Sequence, residues 1–141
     1  MLEIKGDIWS YHKKGQYICI TTNGVVKENG ECVMGRGVAL QAKQLYPFLP
    51  KRIGDWIKKE GNIPYIDEEL RIITLPVKNH WKEKADIELI KQSILHLKVL
   101  SHLGPFYTVR PGCGNGGLDW EEVKNQLNDF WDSRMIIVNR E

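Results

Sequence analysis

The sequence predicts an α/β layered domain with helices on both faces of a largely parallel sheet, and three observations carry that expectation. Short apolar, β-branched runs alternate with segments of helical period along the whole chain. No internal repeat, linker or low-complexity tract divides the 141 residues, so a single domain over 1–141 is expected. Two glycine-rich segments, Val33-Met34-Gly35-Arg36-Gly37-Val38-Ala39 and Pro111-Gly112-Cys113-Gly114-Asn115-Gly116-Gly117-Leu118-Asp119, each follow a strand-like run and lead into a helical pattern. Such strand–loop–helix junctions are the building units of a parallel sheet.

The elements follow in order. Residues 1–9 read as a short strand, with Leu2 and Ile4 apolar and a turn at Gly6-Asp7. Residues 17–21, Tyr-Ile-Cys-Ile-Thr, have the length and β-branching of a buried strand, ended by Asn23-Gly24. Residues 25–31 are polar and read as a loop. From Arg36 the period turns helical, with Val38, Ala42, Leu45 and Tyr46 on one face and Pro47 as the stop. A second helix follows Pro50, with Ile53, Trp56 and Ile57 inward, and closes at Gly61-Asn62. Residues 70–77 read as a strand whose Pro76 needs a strand end or an edge. Asp86 caps a helix through His102, with Ile87, Ile90, Ile94 and Leu97 inward and Gly104 as its C-terminal glycine. Residues 105–109 form the next strand. Asp119 and Glu122 open a capped helix with Val123, Leu127 and Phe130 inward, and 135–138 is the last strand.

Composition narrows the function classes. Net charge is +2 and no five like charges run together, which argues against a basic stripe tracking nucleic acid; an anionic small molecule or one flipped nucleotide fits better. Cys19, Cys32 and Cys113 are odd in number and lack a C-x-x-C pair, which speaks against a disulfide framework or a zinc site; no metal and no cofactor are expected. No apolar run approaches the ~20 residues needed to span a bilayer, and the N-terminus lacks a leader pattern, so a cytoplasmic monomer without membrane contact is expected.

In a parallel sheet, ligands gather at the carboxyl ends of the strands. Both glycine segments, Asn23 and Lys78 fall at such ends. Glycine lets a ligand approach the backbone, and the first amides of a helix are unpaired donors with partial positive charge. Two junctions of this kind suit an anionic ligand, most simply a diphosphate. The segment 112–118 holds four glycines in seven residues, more than a turn needs. The first segment lacks both the Walker and the G-x-G-x-x-G spacing, which disfavours an NTPase or a nicotinamide dehydrogenase. Single residues stay open between two readings. Arg36 screens a phosphate or is solvated; Asp7 accepts from an exocyclic amine or only shapes a turn; Asn23 faces a pocket or only shapes a turn. Lys78 reaches the rim or lies in solvent, His80 exchanges a proton or covers the rim, and Trp81 stacks on a base or does the same. Cys113, near a helix start, could have a lowered thiol pKa, but no base adjoins it.

At these residues the chain resembles the macrodomain family of ADP-ribose-binding and ADP-ribosyl-hydrolysing modules, from Lys5-Gly6-Asp7-Ile8 to the last strand. Within that family the first glycine segment, Leu75-Pro76-Val77-Lys78-Asn79-His80-Trp81 and Gly112-Cys113-Gly114-Asn115-Gly116-Gly117-Leu118-Asp119-Trp120 resemble the antitoxin macrodomains of DarT/DarG-type pairs, which are DNA ADP-ribosyl glycohydrolases. The resemblance implies a three-layer α/β/α sandwich with a mixed, mostly parallel sheet. It implies that Asp7 and Ile8 contact adenine, and that Met34 to Val38 and Gly112 to Leu118 embrace the diphosphate and distal ribose with Asn23 beside it. It implies that Lys78 is catalytic at the distal ribose C1″. The implied substrate is ADP-ribose on DNA thymidine or on protein; an ADP-ribose 1″-phosphate phosphatase, an O-acyl-ADP-ribose deacylase and a non-catalytic reader are the alternatives. Where related animal enzymes pair their Lys with an Asp in the second loop, this chain has Gly116. In place of the family's Asn-Ala-Ala-Asn it has Thr21-Thr22-Asn23-Gly24.

Overall fold

A computed structural model describes residues 1–100 and 102–140. In chain order it contains β1 (Leu2–Lys5), α1 (Ile8–Lys13), β2 (Tyr17–Thr22), α2 (Gly37–Leu45), α3 (Leu49–Glu60), β3 (Ile66–Asp67), β4 (Ile72–Pro76), α4 (Ile87–Leu100), β5 (Phe106–Thr108), α5 (Trp120–Leu127) and β6 (Met135–Asn139). Single 3-10 turns lie at Gly114–Gly116 and Asn128–Phe130.

The six strands form one sheet in the order β1-β6-β5-β2-β4-β3. Every pairing is parallel except that of β3 with β4. Side chains alternate across a strand, so β2 sends Ile18 and Ile20 to one face and Cys19 to the other. The first face packs on α1, α2 and α3 through Ile8, Ala39, Ala42, Leu49 and Ile53. The second packs on α4 and α5 through Ile90, Ile94, Leu97, Val123 and Leu127. The result is the expected three-layer sandwich with a mixed, mostly parallel sheet. Because β1, β6, β5, β2 and β4 run the same way, their carboxyl ends share one rim.

Several elements depart from expectation. The strand read over 1–9 stops at Lys5, and a six-residue helix, α1, follows. Asp7 caps it, accepting from the Trp9 amide at 3.1 Å, and His12 and Lys13 suit its C-terminus. Strand β4 begins at Ile72, and Pro76 is its last residue, so the proline sits at an end of an internal strand. Strand β5 is shorter than 105–109. Leu45, expected inward, is 56% exposed. Helix α4 ends at Leu100, and Ser101 lies outside the described residues; His102 is not helical, and Gly104 precedes Pro105 rather than capping the helix. After Leu127 the backbone tightens into a 3-10 turn, leaving Phe130 half-buried rather than on the inner face of α5. The two-residue β3 had no sequence signal long enough to find. Among the described residues no helix is long and apolar enough to cross a membrane.

Candidate functional site

A crevice of about 950 Å³ opens on the shared rim. Its floor is the ends of β2, β4, β5 and β6, contributing Thr21, Thr22, Val77, Val109, Val138 and Asn139. One wall is the segment from Val33 to Ala39, the other the loop from Gly112 to Gly116. Lys78, Trp81, Lys82 and Glu83 close one end. A side notch of about 110 Å³ is formed by Asp7, Ile8, Gly37, Val38, Gln41, Val109, Val138 and Arg140.

The first wall is a run of free donors. The first helical amide of α2 with an acceptor is that of Leu40, which donates to Arg36 O at 3.2 Å. The amides of Gly35 through Ala39 therefore have no partner within the described residues, and Arg36 caps α2 without a side-chain bond. Gly35 has no atom within 4 Å of an added Cβ, so this wall is open at the backbone. Successive unpaired amides at a helix start make an anion-binding concavity.

The second wall is more self-contained. Gly116, Gly117 and Leu118 amides donate to Cys113, Gly114 and Gly112 carbonyls at 3.4, 3.0 and 3.0 Å, leaving the Gly114 and Asn115 amides without a partner among the described residues. The two walls nearly meet, since a Cβ on Gly37 would lie 3.1 Å from Asn115 Nδ2.

Lys78 stands between them. Its Nζ donates to the carbonyl of Trp81 at 3.3 Å and to that of Asn115 at 3.4 Å, tying the end of β4 to the second loop. Five cationic side chains line the crevice (Arg36, Lys78, Lys82, Arg110 and Arg140) against one carboxylate, Glu83. That balance suits an anion. Arg110 is held in place by its Nε donating to Asn139 Oδ1 at 2.7 Å. Asn139 in turn donates to Glu3, which also accepts from Trp120 and Lys124, each at 3.0 Å. These hydrogen bonds, Asn139's foremost, hold the Glu3 carboxyl down at about 2.

The structure thus brings together Asn23, Val33, Met34, Gly35, Arg36, Gly37, Val38, Lys78, Gly112, Cys113, Gly114, Asn115 and Gly116 in the crevice, with Asp7 and Ile8 in the adjoining notch. Gly117 and Leu118 line neither cavity. The Asn23 amide is committed inward, donating to Val33 O and accepting from Val25 N at 3.0 Å each, so it shapes the first wall. Burial pushes the Cys113 thiol up, against the expected lowering, with its Sγ turned to Pro111 O. Asp119 is a cap, accepting from Glu122 N at 3.2 Å. Gly116 is buried, and a Cβ there would lie 3.0 Å from that of Ala85, so a side chain at this position is crowded at its base. Sequence reading missed Arg110, Asn139, Arg140 and Gln41; Arg110 falls just past an apolar run, and only the parallel sheet order could have placed it here. Among the described residues no cluster of His, Cys, Asp or Glu could hold a metal.

No protein-family model matches the chain. Among curated proteins it is 32% identical over 108 residues to a DNA ADP-ribosyl glycohydrolase of Mycobacterium tuberculosis, covering 67% of this chain and 30% of that protein. It is 30% identical over 109 residues to one of Thermus aquaticus, covering 69% and 30%. The chain thus spans about a third of the length of these relatives. Among solved structures, the macrodomain of Mycobacterium tuberculosis DarG matches with a TM-score of 0.74 and 25% identity over 99% of this chain and 97% of that one. The Thermosipho africanus DarTG structure, in complex with ADP-ribose, matches with a TM-score of 0.77 and 23% identity over 99% of this chain and 41% of that one.

Proposed function

Because this chain is a macrodomain of the DarG type, we propose that its crevice binds ADP-ribose and that Lys78 promotes hydrolysis at the distal ribose C1″, releasing ADP-ribose from DNA. The observation that carries this reading is the pair of unengaged amide runs, Gly35 to Ala39 and Gly114 to Asn115, facing each other with Lys78 between them. A diphosphate accepts from both runs, which fixes the distal ribose beside Lys78. The notch then takes the adenine, where Asp7 keeps one carboxylate oxygen for the exocyclic amine while the other caps α1. In hydrolysis, water adds to C1″, the bond to the thymidine breaks, and the departing base takes a proton. Lys78 Nζ, already a donor to two carbonyls, is posed as a hydrogen-bond donor to the charge that develops there. A cytoplasmic setting and a single-nucleotide contact with DNA belong to this reading.

ADP-ribose is expected to bind by calorimetry, and thymidine-linked DNA to lose its ADP-ribose. Lys78→Ala is expected to lower turnover at least 100-fold while leaving ADP-ribose affinity within about three-fold. Lys78→Arg keeps a charged donor and retains measurable turnover, whereas a nucleophilic lysine would tolerate neither change. One observation favours a second reading, a binder without chemistry: position 116 is a glycine and supplies no partner carboxylate to Lys78. That reading predicts calorimetric binding with no release from DNA, protein or 1″-phosphate.

A further inference from the structure

One stretch of the crevice is built differently from the rest. The glycine walls offer main-chain amides; residues 80–82 offer stacked side chains. Trp81 is 44% exposed although it lines the crevice. Its ring lies 5.6 Å from that of His80 at 28°, and the Lys82 ammonium sits 5.2 Å from the indole centroid. His80 is itself fixed, its Nδ1 accepting from Lys82 N at 3.1 Å.

Both ends of this stretch are sewn down. Asn62 Nδ2 donates to the Lys78 carbonyl at 3.2 Å and to Asn79 Oδ1 at 3.0 Å, and Gly24 N donates to Asn79 O at 3.1 Å. At the far end Ala85 N donates to Gly116 O and Asp86 N to Val77 O, each at 2.8 Å. An exposed indole is therefore held on a fixed loop, its own carbonyl accepting from Lys78 Nζ.

We infer that Trp81 and Lys82 seat the nucleobase and phosphate of single-stranded nucleic acid, on the side of Lys78 from which the leaving group departs. This inference rests on the reading above and adds what recognises the other half of the substrate. A base stacks on an indole regardless of its sequence, and the Lys82 ammonium, which lies over the ring, gives way to the base and meets the neighbouring phosphate. A carboxylate ester on a protein or an inorganic phosphate has no π-face and gains nothing from the indole. A base inside a duplex has both faces covered, so the strand must be single or the base turned out. A seat for one base needs no long basic stripe, which this chain lacks.

The test compares wild type, Trp81→Ala, Trp81→Phe and Lys82→Ala on two substrates, a single-stranded oligonucleotide and a protein, each carrying ADP-ribose. Trp81→Ala is expected to lower the ratio of kcat/KM on the oligonucleotide to that on the protein about ten-fold. Trp81→Phe should recover most of it, and Lys82→Ala should flatten the salt dependence of the oligonucleotide reaction alone. An unchanged ratio overturns the inference. Anisotropy of an unmodified labelled oligonucleotide, with ADP-ribose saturating, gives a readout independent of turnover. If the wild type releases no ADP-ribose, the hydrolase reading fails, and Trp81-dependent oligonucleotide binding still decides the seat; binding that Trp81→Ala leaves unchanged overturns it.

Discussion

The two glycine segments look alike in sequence and do different work. In the first, Gly35 borders empty space and Gly37, at φ +59, starts α2 beside Asn115. In the second, Gly112 has φ +77, and a Cβ there would lie 2.8 Å from both Ile90 Cδ1 and Leu118 Cδ1. Gly116 rests on Ala85, and only Gly114 opens onto space. Glycine in the first segment leaves the crevice open, as the proposed ligand requires; in the second it mostly lets the loop lie against α4 and turn sharply. Richness in glycine is one sequence signal with two physical causes, and only the surroundings of each missing Cβ separate them.

The largest expected effect tests that separation directly. Gly112→Ala adds a methyl to a packed site at positive φ, and should cost about 3 kcal/mol and lower Tm by about 10 °C in thermal denaturation. If it unfolds no more readily than the wild type, the second loop is not a packing device. Gly35→Val should do the reverse: stability within about 1 kcal/mol of wild type, but ADP-ribose affinity down at least ten-fold by calorimetry, because the side chain enters the crevice. Equal loss of both in the two variants would erase the contrast.

A smaller effect sharpens it from outside either loop, at the strand ends that hold Arg110. The Glu3 carboxyl titrates near 2 in the fold against an ordinary 4.5, so its stabilisation is complete above about pH 4.5 and is lost as pH falls toward 2. Glu3→Gln should therefore be less stable than wild type at pH 7, with the gap closing between pH 4.5 and 2 in acid titrations. A constant gap would assign the effect to packing instead of charge.

Much of the architecture was legible because its signals are periodic. Ile90, Ile94 and Leu97 marked α4, and the β-branched run ending at Thr21 marked β2 as a buried strand, one residue short of its end. Lys78 and both glycine segments could be put on one rim by counting strand ends. What escaped was short or lacked period. Six residues are too few to show helical spacing, so α1 was absorbed into the strand before it, although Asp7 carried a capping signal. Arg110 and Arg140 follow strands with nothing local to mark them, and become a cationic lining only once β5 and β6 lie side by side and Asn139 holds Arg110. The resemblance extends the second segment to Gly117 and Leu118, which follow the 3-10 turn at Gly114–Gly116 and do not line the crevice.

The sewn loop from Lys78 to Ala85 divides the molecule's labour. Its anchors are Asn62 in the loop after α3, Gly24 and Val77 at strand ends, and Gly116 in the second wall, while His80, Trp81 and Lys82 lie between them. On the functions proposed above, selection can exchange the projecting residues, and with them the kind of adduct accepted, without disturbing how the sugar nucleotide is retained. Choice and grip can evolve at separate speeds in one small domain.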